Sequence, residues 1–283
     1  MTTFPGLGSL LLATLALFPT SVGLLQDKAK NQEREAQERK AQERKTQERK
    51  TLYNKVKKLI ETKDVYAAID CVYRLGDDQK VLAAFGNLIF DLHDRGKATD
   101  HMLALGRAGI DYAMLRAVQV EPKNPERAKQ LKYAAKVMAT NLASFTWPGW
   151  NEKGIRISTS QLRQGREAAK LSVRYALELK LDDAKLSFTL WFLGAHLLAA
   201  KKYARAIQIF TRSREHAIKQ GKNDEGAAMN LGYIGIAQIL DGKSATGEKT
   251  FGQALAKLEA IDNEDAAFYA KQLREVRIFF GAR

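Results

Sequence analysis

The sequence predicts an all-α fold of stacked helical hairpins, and three observations carry that expectation. The first is a recurring grid of large and small residues. Leu190, Leu193, Gly194 and Leu197 are followed by Ala206, twelve after Gly194, and by Phe210 four later. The grid returns as Leu231, Ile234, Gly235, Gly247, Phe251 and Ala254, and earlier as Leu82, Phe85, Gly86, Ile89, Ala98, Met102 and Leu105. Such a grid describes two helices in contact, with small residues at the crossing; hairpins stacked this way build a surface that holds a partner. The second is composition: 45% apolar residues, only 5 prolines in 283 residues, and an abundance of Ala, Leu, Lys, Arg and Glu, all good helix formers. The third is the scarcity of alternating β-branched runs, which leaves little signal for strands.

The chain opens with an apolar segment. Residues 4–25 carry no charge, 10–18 are strongly apolar, and Ser21 and Gly23 have the spacing of a signal-peptidase site, which reads as a secretory signal. Against this, no Lys or Arg precedes the apolar run, and the residues after it are positive. That asymmetry favours retaining the following chain on the cytoplasmic side. A segment of this length also suffices to span a bilayer. Both readings stand: export by a cleaved signal over residues 1–25, or membrane anchoring through residues 4–25. The lack of arginine argues against a mitochondrial presequence.

Residues 26–50 form a charged spacer. Its end repeats Ala-Gln-Glu-Arg-Lys twice and Thr-Gln-Glu-Arg-Lys once over residues 36–50. No apolar stripe recurs at coiled-coil spacing, while glutamates with basic residues within a helical turn favour a solvated, partly helical strut. The net charge is +14. Residues 51–283 hold most of it, so the folded part is itself basic and attracts acidic partners or polyanions such as acidic lipid, wall polymer or, least favoured, nucleic acid. The basic residues are spread along the helices, which also fits plain solubility. Cys71 is the only cysteine. It excludes an intramolecular disulfide and a cysteine-based metal cluster, and its apolar row with Ala68, Val72 and Leu75 reads as a buried thiol.

From residue 51 helical patterns alternate with short breaks. Gly76, Gly96, Gly221 and Gly242 each stand where a helix ends. Asn124 with Pro125 starts one, and Ser158 with Gln161 has the spacing of a capping box. With residues 79–112, 128–180, 187–220 and 228–261 as units, 51–75 as a degenerate leading hairpin and 264–280 as a terminal helix bearing Phe268, Leu273, Val276 and Phe279, the chain resembles the tetratricopeptide repeat family. It departs from that family in having Leu82, Leu190 and Leu231 where an aromatic is usual, in lacking the unit-ending proline, and in a longer loop at 220–226. The resemblance implies a right-handed solenoid whose first helices line a concave groove for a peptide or partner helix. Its walls would present Lys80, Ala83, Asn87 and Phe90, then Phe188, Trp191, Ala195 and Leu198, then Met229, Gly232, Ile236 and Ile239. Lys80 and Asn87 alone do not make the carboxylate clamp of some members. The plainer reading, packing between hairpins, is favoured for Leu198 and Ile236, and is level with groove lining for Phe188 and Trp191.

The second unit is broken at 145–157, where Pro148 and Gly149 forbid a continuous helix. Two tryptophans there, Trp147 and Trp150, either plug the end of a hairpin or, with Lys153 and Arg156, anchor a partner. The four histidines, His93, His101, His196 and His216, fit no zinc spacing, and His196 sits in an apolar helical segment. Asp77, Asp78, Asp182 and Asp183 read as helix-start carboxylates. No phosphate-binding loop, dinucleotide fingerprint or nucleophile elbow occurs, so no cofactor or metal is called for. The expectation is a non-enzymatic protein-interaction scaffold whose basic residues steer an acidic partner. The alternative is a polyanion-binding module, which would show steep salt dependence.

Overall fold

Helix starts follow the capping residues that the sequence supplies. Asp64, Asp77, Asn124, Ser158, Asp182 and Asn263 each accept a hydrogen bond from the backbone N–H three residues on, satisfying a donor that the helix itself leaves open. At Ser158 the box is reciprocal: the Gln161 amide N–H donates to Ser158 Oγ at 3.2 Å, and the Ser158 N–H donates to Gln161 Oε1 at 2.9 Å.

The computed structural model describes residues 21–221 and 224–282. Among these, eleven α-helices account for nearly all regular structure: α1 Ser21–Thr62, α2 Val65–Tyr73, α3 Asp78–Asp94, α4 Thr99–Val120, α5 Pro125–Phe145, α6 Thr159–Glu178, α7 Asp183–Ala199, α8 Tyr203–Lys219, α9 Asp224–Leu240, α10 Ser244–Glu259 and α11 Glu264–Phe280. A single 3₁₀ turn, Pro148–Trp150, interrupts the series between α5 and α6. The chain divides into two units, Met1–Thr51 and Leu52–Arg283. In the first, residues 34–48 are exposed along α1, where Arg34 pairs with Glu38 at 3.0 Å and Arg44 with Glu48 at 2.8 Å. Most of the apolar segment at 4–25 lies outside the described residues, and no described helix is long and apolar enough to cross a membrane.

In the second unit each helix from α3 onward packs on the next, and alternate helices α3, α5, α7, α9 and α11 also touch in sequence. The twelve-residue grid is explained by these contacts. At Gly235 an added Cβ would stand 2.7 Å from Phe251 N and 2.9 Å from Gly247 O, so the backbones of α9 and α10 meet too closely for any side chain. At Gly194 the space is taken by the Phe210 ring, 2.6 Å from a notional Cβ. Gly86 departs from the scheme, because nothing lies within 4 Å of its Cβ position; the close approaches are instead on α4, at Gly109 against Phe85 of α3 and at Gly106 against Leu142 of α5. The core runs the length of the unit through Phe85, Leu88, Met102, Leu142, Trp147, Phe210 and Tyr233, all buried, each such side chain contributing roughly 1.5–3 kcal/mol by leaving water.

The helix ends correct the glycine reading in part. Gly76, Gly221 and Gly242 adopt left-handed backbone, with φ of 76°, 72° and 82°. After Arg95 and Gly96, however, the left-handed residue is Lys97, and Lys180 and Lys201 take the same role with φ of 51° and 57°. The hydrogen bonds show why: Lys201 and Lys202 donate their N–H groups to the Leu198 and Leu197 carbonyls, as Gly242 and Lys243 do to Ile239 and Gln238. The same closing turn is made with or without glycine. Cys71 is partly exposed and Leu75 is 37% exposed; only Ala68 and Val72 of that row are buried, on a short α2 that packs on α3 and α4. In α11, Leu273 and Val276 face inward while Phe268 and Phe279 face solvent.

Candidate partner-binding surface

The interruption between α5 and α6 turns back onto α7 and α9. Pro148 opens the 3₁₀ turn, Asn151 ends it in left-handed backbone, and Gly149 lies flat on the Trp147 indole, where a Cβ would come within 2.3 Å. Trp147 is therefore driven inward and is 1% exposed. Its indole N–H donates to the Ala195 carbonyl at 3.2 Å, and its ring meets Trp150 edge-on at 4.8 Å, Trp191 at 5.5 Å and Tyr233 at 6.1 Å. Of the two tryptophans, Trp147 is the plug. Trp150 donates its indole N–H to the Ser144 carbonyl at 2.9 Å yet keeps 37% of its surface exposed, so its ring is fixed in orientation with one side in water.

A charged latch holds the rest of the interruption. Glu152 accepts from Lys97 Nζ at 2.6 Å and pairs with His93 Nε2 at 3.0 Å, and the His93 ring stacks on Phe145 with centroids 4.0 Å apart. Burial alone would raise the Glu152 carboxyl, but the hydrogen bond from Lys97 and the neighbouring His93 and Lys97 charges outweigh it and hold the group below its ordinary range. Between the end of α3, the interruption and the end of α11 lies a recess of about 250 Å³, lined by Phe145, Trp150, Ile155, Arg156 and Phe279 among others.

The residues singled out from sequence fall into three groups. Phe90, Trp150 and Phe188 are exposed by 39%, 37% and 52% and fall in two groups of aromatic contacts: Phe90 packs edge-on against Phe145 at 5.2 Å, while Trp150 lies 5.9 Å from Trp191 and Phe188 stacks on Trp191 at 6.4 Å. Lys80, Lys153 and Arg156 are exposed cations, and Asn87 is half-buried. Trp191 and Met229, expected on an open wall, are 3% and 8% exposed. The wall there is covered by the chain itself. The 3₁₀ turn packs on α7 and α11, and α11 packs on α9, bringing Leu273 so close to Gly232 that a Cβ there would meet it at 2.3 Å. Ala195, Leu198, Ile236 and Ile239 are likewise buried.

Sequence reasoning missed the pairing of His93 with Glu152, 59 residues apart, and the convergence of Phe279 on the interruption. Neither has a local signal: the first depends on how the interruption meets the end of α3, and the second on α11 packing against the 3₁₀ turn. The remaining titratable groups do not gather. Among the described residues no set of three or more His, Cys, Asp and Glu could hold a metal ion. His196 is fully buried with Nε2 2.7 Å from the Ala143 carbonyl oxygen, and burial pushes the Tyr233 hydroxyl well above its ordinary value. A scan against protein-family models gives no match to the chain, and a search of curated proteins gives none.

Proposed function

We propose that this chain is a non-catalytic, protein-binding scaffold, built as a tetratricopeptide-like right-handed solenoid and displayed beyond the charged helix α1. Export by, or membrane attachment through, residues 4–25 belongs to the same proposal. The observation that carries it is the set of partly exposed aromatics Phe90, Trp150, Phe188 and Phe279, near the buried Trp147 and Trp191 and the partly buried Phe145. Rigid aromatic rings with one face in water bury large apolar area at small entropic cost, which is the property of binding hot spots. The succession of hairpins, the contacts between alternate helices and the twelve-residue grid support the repeat reading of the fold.

The partner is an apolar peptide or helix with acidic flanks. Its apolar side chains would lie over the recess and the neighbouring rings, and Lys80, Lys153 and Arg156 would steer its carboxylates. Because Trp191 and Met229 are covered, the open docking area is the side bounded by α3, the interruption and the end of α11.

Capture from host extract on the immobilised full chain, eluted in salt steps, tests this reading. A discrete protein that survives high salt is the expected result. Acidic lipid, wall polymer or nucleic acid released at moderate salt would replace the scaffold with a polyanion-binding module.

A further inference from the structure

Several cations of the second unit pair with a neighbouring carboxylate, among them Lys97 with Glu152, Arg116 with Asp78, Lys170 with Glu167, Arg174 with Glu178, Lys185 with Asp182 and Arg277 with Glu248. A recess of about 590 Å³ between the first turns of α6 and the α7–α8 turn is walled by Thr159, Ser160, Arg163, Arg166, Ala199 and Lys201, and no carboxylate residue lines it. Arg163 and Lys201 form no ion pair among the described residues. Arg166 reaches only the edge of one, with Nε 4.0 Å from Glu167.

We propose that this recess binds a phosphate group. Arg163 and Arg166 stand three residues apart, on one side of α6, and Lys201 faces them from the turn. Two guanidinium forks and an ammonium supply the charge and the donor geometry that a phosphate dianion satisfies best, and the Thr159 and Ser160 hydroxyls add neutral donors at the rim. The Leu197 and Leu198 carbonyls at the end of α7 accept the Lys202 and Lys201 N–H groups. Small side chains at Ala199 and Ala200 keep the floor open. Lys201 holds left-handed backbone at φ 57°, where the α9–α10 turn uses Gly242. The fold thus accepts a lysine where glycine is the less strained choice. At Lys97, in the same kind of turn, the side chain binds Glu152, whereas the Lys201 side chain lines the recess. The proposal uses none of the residues of the aromatic surface.

The test uses the full chain at constant ionic strength, with inorganic pyrophosphate as a free probe followed by calorimetry. Phosphatidylcholine vesicles with and without phosphatidic acid, followed by co-sedimentation, present the same group on a membrane. Saturable binding to either probe is expected, with the stronger arm naming the source. Arg163→Ala with Arg166→Ala should weaken it by about tenfold or more. Lys201→Gly relieves the left-handed turn, so it should keep or raise thermal stability while weakening binding to a similar degree; it keeps the test decisive if the double variant folds poorly. No saturable binding to pyrophosphate and no preference for phosphatidic acid would overturn the proposal, as would unchanged affinity in both variants.

Discussion

The indole N–H of Trp147 donates to the Ala195 carbonyl at 3.2 Å, joining residues 48 apart in the chain. This bond fixes the interruption between α5 and α6 onto α7, and the buried ring is the keystone of the cluster that includes Trp150, Trp191 and Tyr233. Trp147→Ala should therefore destabilise the protein by about 3–5 kcal/mol, read from urea unfolding. Trp147→Phe, which keeps most of the ring contact and loses the hydrogen bond, should cost less than half of that.

The crossing of α9 and α10 is closed to side chains. Gly235→Ala would place a Cβ 2.7 Å from the Phe251 nitrogen and 2.9 Å from the Gly247 carbonyl oxygen. Both are backbone atoms that no rotamer change can move. We expect a loss of about 1–3 kcal/mol on thermal or urea unfolding. Gly86→Ala, at a position with nothing within 4 Å, should be neutral or slightly stabilising, because alanine favours helix.

His196 provides a pH signature. Burial, aided by the Arg166 charge, pushes its pKa down from 6.5 to about 4 against the opposing Ala143 and Leu162 hydrogen bonds. A histidine whose folded pKa is depressed stabilises the fold fully above its unfolded value of 6.5. That contribution is lost as pH falls toward 4, because the unfolded chain takes up the proton first. The loss amounts to roughly 3 kcal/mol across that window. His196→Gln keeps a donor for the Ala143 carbonyl and does not titrate. Its unfolding free energy should fall less steeply than wild type between pH 6.5 and 4, the difference approaching one proton. Equal slopes would refute the assignment.

How legible this protein is in its sequence follows the range of the interactions. Caps such as Asp77, Asn124, Asp182 and the Ser158–Gln161 box act within four residues, and they stand where the sequence places them. The hairpin succession is readable too, because Gly194, Gly235 and Gly247 mark crossings between neighbours in the chain. The left-handed turns at Lys97, Lys180 and Lys201 are not, since a lysine in that conformation carries no local mark and is held by the helices on both sides. The candidate surface is half-legible. Phe90, Trp150 and Phe188 stand out as aromatics at surface spacings, but the covering of Trp191 and Met229 depends on the 3₁₀ turn and α11 folding over α7 and α9. The inward turn of Trp147 rather than Trp150 is set by Gly149 lying on its ring, a packing detail beyond any periodicity.

The charged helix α1 should respond to salt where the second unit does not. Its residues 34–48 are exposed and carry ion pairs within one helical turn, Arg34–Glu38 and Arg44–Glu48 among them, and screening weakens such pairs. A peptide of residues 26–50 should lose helical circular dichroism as sodium chloride rises from 10 mM to 1 M, about 30 Å to 3 Å in screening length. Helicity independent of salt would show that intrinsic propensity alone maintains the strut.

The most direct measurement of the central claim compares capture by the wild-type full chain with capture by a variant carrying Phe90→Ser, Trp150→Ser and Phe188→Ser, at high salt, with bound proteins identified by mass spectrometry. These side chains are partly exposed, so circular dichroism and unfolding should show the variant folded. The account predicts a discrete protein held by the wild type and absent from the variant. The same protein retained by both chains would contradict it.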